Sequence, residues 1–438
     1  MKITKLSAIR KNDYLRIFAR SRGMDQTILP RVAQVMDSVR RLGDKVLSDK
    51  YTKRYGRNAY GSIAVTRREI TEAYSLVSGE TITALKQMIK NITAAQSAQL
   101  PKRKDTVVQT EPGITVWREW RAIEKVGLYI PGGKAVYPSS VLMTAIPAQI
   151  AGCRDIVLCS PPRDNGKIPP ATLIAANMIG LTDIFKVGGA EAIAAMTYGT
   201  RTIPAVCKIF GAGNASVTAA KMLALNTVSI DMPAGPSEIF IIADESANPA
   251  FIAADLLADG EHGEDSACVL ITTSRQIARQ TLTEIQKQLP GLTTADRAAK
   301  SLEAFGLIAL ADSMSDAIAF TNGYAPEHLE IMTRDPDSVA RRIQNAGSVF
   351  LGDWTAKAAG DYATGANHVL PTGGMAKMYP PLGVDAYGKW MQVQKCTKNG
   401  LLKIRKTIEV IAEAEQLPAH KNSVSIRFAK KRGIYESN

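Results

Sequence analysis

Val126-Gly-Leu-Tyr-Ile130, Asp155-Ile-Val-Leu-Cys159, Asp183-Ile-Phe-Lys-Val187 and Ala205-Val-Cys-Lys-Ile-Phe210 are four short β-type runs. Alanine-rich stretches of helical length accompany them, near residues 140–152, 170–180, 190–197 and 214–225. Runs that are apolar along their length suit strands covered on both faces, and parallel strands need a long crossover between them. The alternation therefore predicts a parallel sheet sheathed in helices. A second set follows at Glu238-Ile-Phe-Ile-Ile-Ala243, Cys268-Val-Leu-Ile-Thr272, Leu307-Ile-Ala-Leu310, Leu329-Glu-Ile-Met332 and Ser348-Val-Phe-Leu351. The segment Asp231-Met-Pro-Ala-Gly-Pro-Ser-Glu238 joins the two sets. They share the alternation but no residue-level repeat. The expected class is α/β, with two adjacent parallel-sheet units.

Working outward, residues 27–58 and 80–100 show helical spacing of Ile, Leu, Val and Met, broken at Gly43 and Gly56. Residues 105–125 alternate more like strands, and beyond 375 a Pro/Gly-rich stretch (Tyr379-Pro-Pro-Leu-Gly383) leads to a helical tail. The net charge of +13 is uneven. Residues 1–58 carry fifteen Lys/Arg against five Asp/Glu, and residues 391–438 carry ten against four, so the middle is slightly acidic. Such basic ends could bind nucleic acid. They lack Gly/Arg repeats, interleaved aromatics and zinc-finger spacing, so solvated helix faces or a subunit interface are expected instead. No apolar run approaches the roughly 18 residues of a membrane span. The opening Met1-Lys-Ile-Thr-Lys-Leu6 carries no signal-peptide hydrophobic stretch, and a cytoplasmic location is expected. Cys153, Cys159, Cys207, Cys268 and Cys396 have no C-x-x-C spacing and read as small core residues.

Two glycine turns, Gly127-Leu-Tyr-Ile-Pro-Gly-Gly133 and Gly211-Ala-Gly-Asn-Ala-Ser216, lie between predicted strands and helices. That is where backbone and a helix N-terminus can face a phosphate. Neither is a full G-x-G-x-x-G, and a plain strand-to-helix connection accounts for each equally well.

The four histidines all sit in polar motifs: Asp259-Gly-Glu-His262, Glu327-His328, Asn367-His368 and Ala419-His420-Lys-Asn422. Histidine trades protons near neutral pH and is the commonest metal ligand. Asp255, Asp259 and His262 are expected to share one face of a helix. Asp259 and His262 then either converge on one metal or form a solvated acidic helix end. Glu327 and His328 pair a carboxylate with an imidazole, as acid/base work requires, or form a polar strand edge. Pro326 biases Ala325 toward an extended backbone. Gly360-Asp361-Tyr-Ala-Thr-Gly-Ala-Asn-His368 is a glycine-broken polar loop.

Taken together, these motifs resemble the histidinol dehydrogenase family from about residue 30 to 428. The resemblance implies two adjacent incomplete Rossmann-like parallel-sheet units with helical N-terminal and C-terminal extensions. It divides the chain into an arm (1–25), a discontinuous α/β domain (26–125 with 238–375), a second α/β domain (126–237) and a helical tail (376–438) exchanged between subunits. It implies oxidation of L-histidinol to L-histidine through the aldehyde, with NAD and one zinc ion per subunit, in a homodimer whose site is shared. Glu327 and His328 would be the catalytic pair, His328 taking the alcohol proton and Glu327 activating water for aldehyde hydration. Zinc would lie among Asp259, His262, Asp361 and His420, the last from the second subunit. Ser237, His328 and Glu415 would contact substrate beside those four, and Tyr129, Glu191 and Asn214 would line the NAD site. No role is implied for His368.

Three positions depart from the family's pattern. Asp259 and Glu191 each stand where the family usually carries Gln, and Gly211-Ala212-Gly213-Asn214 replaces Gly-Pro-Gly-Asn. Asp259 adds negative charge to the metal shell and reaches about one methylene less. Glu191 would place an anion near a cationic nicotinamide. Residues 384–400 also look unlike the family. Asp259 and Glu191 keep one alternative in view, a relative on the same scaffold oxidising another amino alcohol or polar diol; the basic N-terminal segment keeps a second, a non-catalytic nucleic-acid-binding protein.

Overall fold

The structure, a computed structural model, describes residues 1–9, 17–18, 27–56, 60–132, 136–233 and 235–429. Most of the expected arm, Gly133 of the first glycine turn, the end of the 27–58 stretch and Ala234 of the joining segment lie outside the described residues. In chain order the strands are β1 (Ile3–Lys5), β2 (Val108–Glu111), β3 (Ile114–Ala122), β4 (Lys125–Tyr129), β5 (Asp155–Cys159), β6 (Ile184–Phe185), β7 (Lys208–Phe210), β8 (Ser229–Ile230), β9 (Glu238–Ala243), β10 (Ala267–Thr272), β11 (Leu307–Leu310), β12 (His328–Met332), β13 (Ser348–Leu351) and β14 (Gly388–Cys396). The chain divides into two compact units, Met1–Leu100 with Ile123–Tyr387, and Pro101–Ala122 with Gly388–Asn438.

The first unit holds two parallel sheets. One has the order β6-β5-β4-β7-β8, the other β1-β11-β10-β9-β12-β13. Every residue of β9, β10 and β12 is buried, which is why these runs read as apolar along their length. The two sheets share one winding: each runs outward one way for three strands, then reverses for two. The reversal falls between β4 and β7 in one sheet and between β9 and β12 in the other. One apolar core packs on a face of the five-stranded sheet, and separate cores cover the two faces of the six-stranded sheet. Helices Ile28–Leu42 and Asp44–Tyr55 belong with the five-stranded sheet, through Val32, Met36, Val39, Leu47 and Tyr51. Val32, Met36 and Val39 recur every three to four residues, the spacing of one helix face. Gly43 ends the first of these helices at φ +55, its N–H donating to the Val39 carbonyl at 2.8 Å. The α/β class expected from the sequence is the observed one.

The second unit is an antiparallel sheet, β14-β3-β2, with helices Lys398–Ala414 and Pro418–Ser425. The nine-residue β14 has no counterpart in the sequence reading, which took this stretch as a prelude to helix. β1, on the edge of the six-stranded sheet, was not anticipated either. Cys153, Cys159 and Cys268 are buried, but Cys207 and Cys396 are exposed, which corrects the reading of all five as core residues. Among the described residues no helix is long and apolar enough to cross a membrane.

Candidate active site

The carboxyl ends of β4 and β7 face the amino ends of β9 and β12 across a cleft of about 430 Å3. Ligands of open α/β sheets sit outside the carboxyl ends of the strands, at the point where strand order reverses. Tyr129 and Gly211 lie at that point in the five-stranded sheet. Ser237, Glu327, His328, Lys357, Asp361 and His368 line the cleft from the other side.

Glu327 and His328 enter β12 through a constrained turn. Helix Met314–Tyr324 ends on Ala325, whose N–H donates to the Thr321 carbonyl at 2.8 Å. Ala325 is left-handed (φ 53, ψ 68), not extended as Pro326 alone suggested. Closing the helix requires this conformation, at a cost of about 1–2 kcal/mol for a residue with a Cβ. Pro326 then directs the chain into the strand. Glu327 Oε2 accepts from the Glu238 N–H at 2.8 Å and lies 3.3 Å from the Ser237 hydroxyl. His328 Nδ1 lies 2.9 Å from the Glu238 carbonyl oxygen and 3.5 Å from Glu327 Oε2. A carbonyl only accepts, so Nδ1 carries the hydrogen and the neutral ring keeps its lone pair on Nε2. That Nε2 is buried, has no hydrogen-bond partner among the described residues, and lies 3.8 Å from Asp361 Oδ1. Burial opposes charging the ring, yet Glu327 beside it lifts the His328 pKa above the ordinary histidine value.

Glu238 is the hub that sequence reasoning quoted without assigning. Its carboxylate accepts from Gly373 N–H at 2.7 Å and Glu327 N–H at 3.3 Å, while its own N–H and carbonyl hold Glu327 and His328. A buried glutamate at the head of an apolar strand is the signal that could have found it.

Asp259 is fully buried on helix Pro249–Gly260. Its Oδ1 accepts from the Ser237 hydroxyl at 3.1 Å, and its Oδ2 has no hydrogen-bond partner among the described residues. Lys357 opens helix Lys357–Tyr362, where its N–H donates to Glu330 Oε1 at 2.8 Å. Its ammonium sits 2.9 Å from Asp259 Oδ1 and 2.9 Å from Asp361 Oδ2, with the side chain only 2% exposed. Burial works against the charge on Lys357, but the two carboxylates raise its pKa above the usual lysine value. Burial also works against the Asp259 carboxylate, and Lys357 holds its pKa well below the usual range.

These contacts decide the fit of the expected zinc. Zinc holds carboxylate oxygens at about 2.0–2.2 Å. The point between Asp259 and Asp361 is taken by an ammonium group of the chain itself. His262 lies just beyond the helix end, its Nδ1 3.2 Å from the Asp259 carbonyl oxygen and 3.6 Å from Oδ1, and its side chain is 34% exposed. Among the described residues no cluster of three or more His, Cys, Asp or Glu has metal-holding geometry. The donor set as arranged does not fit a zinc ion. Glu415 and His420 lie in the second unit, beside a small pocket with Ile408 and Ile411.

In the glycine turn after β7 the packing of the chain itself requires glycine. Gly211 has φ +112, and a Cβ there would lie 2.0 Å from the Tyr129 carbonyl oxygen; one on Gly213 would meet Val217 at 2.6 Å. Asn214 caps the following helix, accepting from Val217 N–H at 3.1 Å. Tyr129 receives the Gly189 N–H at 3.2 Å on its hydroxyl. Glu191, however, is 2.5 Å from Lys50 Nζ and does not line the cleft. The expected anion beside the nicotinamide is thus already paired. His368 acquires a place: Nδ1 is 3.1 Å from the Asp361 carbonyl oxygen and Nε2 is 3.2 Å from the Ser140 hydroxyl. Burial lowers its pKa, so a neutral ring ties the Asp361 backbone to helix Pro138–Ala151.

Comparison with known proteins gives the family. The histidinol dehydrogenase family model matches residues 18–428. A histidinol dehydrogenase of Bacteroides fragilis is 49% identical over 408 residues, 93% of this chain and 94% of that protein. One from Methanosarcina barkeri is 41% identical, covering 98% of this chain and 99% of its own. The crystal structure of histidinol dehydrogenase from Elizabethkingia anophelis superposes with a TM-score of 0.91 at 43% identity, over 97% of each chain. With a family model spanning most of its length and relatives matched nearly end to end, the chain belongs to the histidinol dehydrogenase family of oxidoreductases.

Proposed function

We propose that this enzyme oxidises L-histidinol to L-histidine by way of L-histidinaldehyde, with NAD as the oxidant. The observation that carries the reading is His328: its Nδ1 hydrogen is committed to the Glu238 carbonyl, leaving Nε2 as a base in the cleft with no hydrogen-bond partner among the described residues. A base in that state accepts the hydroxyl proton as hydride leaves the carbinol carbon. Tyr129, Gly211, Gly213 and Asn214 would hold NAD, which when bound would supply the hydride acceptor. Glu327, held by the Glu238 N–H, is placed to deprotonate the water that hydrates the aldehyde. Ser237 bridges Glu327 and Asp259 and lies where a substrate amine or hydroxyl would bind. No step passes through zinc, since Lys357 occupies the space between Asp259 and Asp361.

A homodimer belongs to the same reading. The second unit exposes Trp390, Met391, Leu402, Val410, Ile411 and Ile426, apolar area of the kind another chain covers. In that arrangement Glu415 and His420 of a second copy approach the cleft. The test is NAD reduction by the purified protein with L-histidinol, beside other amino alcohols and polar diols. About two equivalents of reduced cofactor per histidinol are expected for the two oxidations. Turnover of another alcohol with none of histidinol would reject the substrate. His328→Gln should lower turnover by about 10²–10⁴-fold.

A further inference from the structure

We propose that the Lys357 ammonium is the resident cation of this site, and that Asp259 and Asp361 are its counter-ions rather than ligands of a divalent metal. Three features carry this. The ammonium lies 2.9 Å from an oxygen of each carboxylate, which is the point a bound ion would have to share with it. The side chain is enclosed, so a metal would need to drive a buried cation out of its cavity, and two like charges do not share that space. The backbone under it is pinned as well, by the Lys357 N–H on Glu330 Oε1 at 2.8 Å.

Lys357 then does structurally what a divalent ion would do. It ties the helix Pro249–Gly260 to the helix Lys357–Tyr362 through Asp259, which also holds Ser237. It fixes Asp361, whose other oxygen lies 3.8 Å from His328 Nε2. It is a positioning residue: it acts on the reacting centre through these two carboxylates. The inference rests on the proposed reaction only for the choice of substrate, because the metal measurements below need no turnover.

The experiment uses the full chain purified without chelator. Zinc content is measured by atomic emission, and cobalt(II) is titrated in while its visible ligand-field absorption is followed. Wild type should carry less than about a tenth of an equivalent of zinc and give no band beyond that of cobalt in buffer. Its NAD reduction should stay within about twofold after dialysis against a strong chelator. Lys357→Met, shown to be folded by circular dichroism, should gain a cobalt band, since removing the ammonium frees both carboxylates beside His262. Near-stoichiometric zinc in wild type, lost together with activity on chelation, would overturn the proposal. So would a folded Lys357→Met that binds no cobalt. If that variant does not fold, the wild-type zinc content and cobalt titration decide alone. Inactivity on histidinol with metal-free wild type would strike the substrate assignment and leave the cation assignment standing.

Discussion

Removing the Lys357 ammonium tests how much of the site is held by charge. At 2.9 Å and an effective dielectric of about 20, each of its two ion pairs is worth about 6 kcal/mol before desolvation is counted. Desolvating three buried ions returns most of that. The quantity that survives is the cost of stranding a partner: Asp259 has no exposure, and an uncompensated buried charge costs about 3–5 kcal/mol. Lys357→Met, similar in length and uncharged, should therefore lose about 3–5 kcal/mol of unfolding free energy in urea at neutral pH. Adding Asp259→Asn removes the stranded charge and leaves a side chain that still accepts from Ser237. The double variant should recover more than about half of the loss, a coupling in the range measured for contacting groups. A loss below about 1 kcal/mol for Lys357→Met would place the ammonium in water rather than in the protein. A double variant less stable than Lys357→Met would show that Asp259 does not depend on this cation. Either result refutes the reasoning.

The remaining predictions follow from other contacts. Gly211→Ala puts a Cβ 2.0 Å from the Tyr129 carbonyl oxygen at a φ of +112, so it should weaken NAD binding by at least about tenfold in a fluorescence titration. Glu191→Gln should change NAD affinity by less than about threefold, because Lys50 already pairs with the carboxylate and Glu191 does not line the cleft. Asp255 and Glu330 form a buried carboxyl pair; burial is the main cause that raises both, Asp255 to about 6. An acid raised on folding binds more protons in the native state. Its contribution to stability is full below the unfolded value near 3.8 and fades as pH rises through about 6. Thermal melts of wild type should lose stability across that window, and Asp255→Asn should flatten the loss. Glu327→Gln should leave the first oxidation measurable while slowing the second, so that aldehyde trapping with a hydrazine detects more intermediate than in wild type.

The parallel sheets were legible because their strands are buried on both faces, which writes near-continuous apolar runs such as Glu238-Ile-Phe-Ile-Ile-Ala243 into the chain. β14 was not, because an exposed antiparallel strand of mixed residues, Gly388–Cys396, has no such run and its partner β3 is remote in sequence. Ala325 defeated a local rule: the neighbour's preference for extended backbone lost to helix closure. Glu327 and His328 were visible as a pair, but the tautomer that makes His328 a base is fixed by the Glu238 carbonyl on another strand. Lys357 was missed although it is the only Lys or Arg in residues 343–376 and lies one helical turn from Asp361. That spacing alone predicts an exposed ion pair. Only the fold brings Asp259 to the same ammonium and closes the cavity around it. His262, placed by the sequence on the face of a continuing helix, lies past Gly260, where the helix ends.

The segment from Asp231 to Glu238 carries an anchor at each end. Asp231 receives the Gly211 N–H at 2.7 Å and pairs with the buried Lys221, holding the proposed cofactor turn. Glu238 holds Glu327 and His328. Separate apolar clusters pack against the two sheets, so the turn after β7 and the Glu327–His328 pair rest on different sets of core side chains. Preference for the oxidant and preference for the alcohol can therefore drift independently over evolutionary time. The length of this one connection cannot: inserting or deleting a residue in it would move Gly235 and Ser237, which line the cleft, and change the spacing between Gly211 and Glu327.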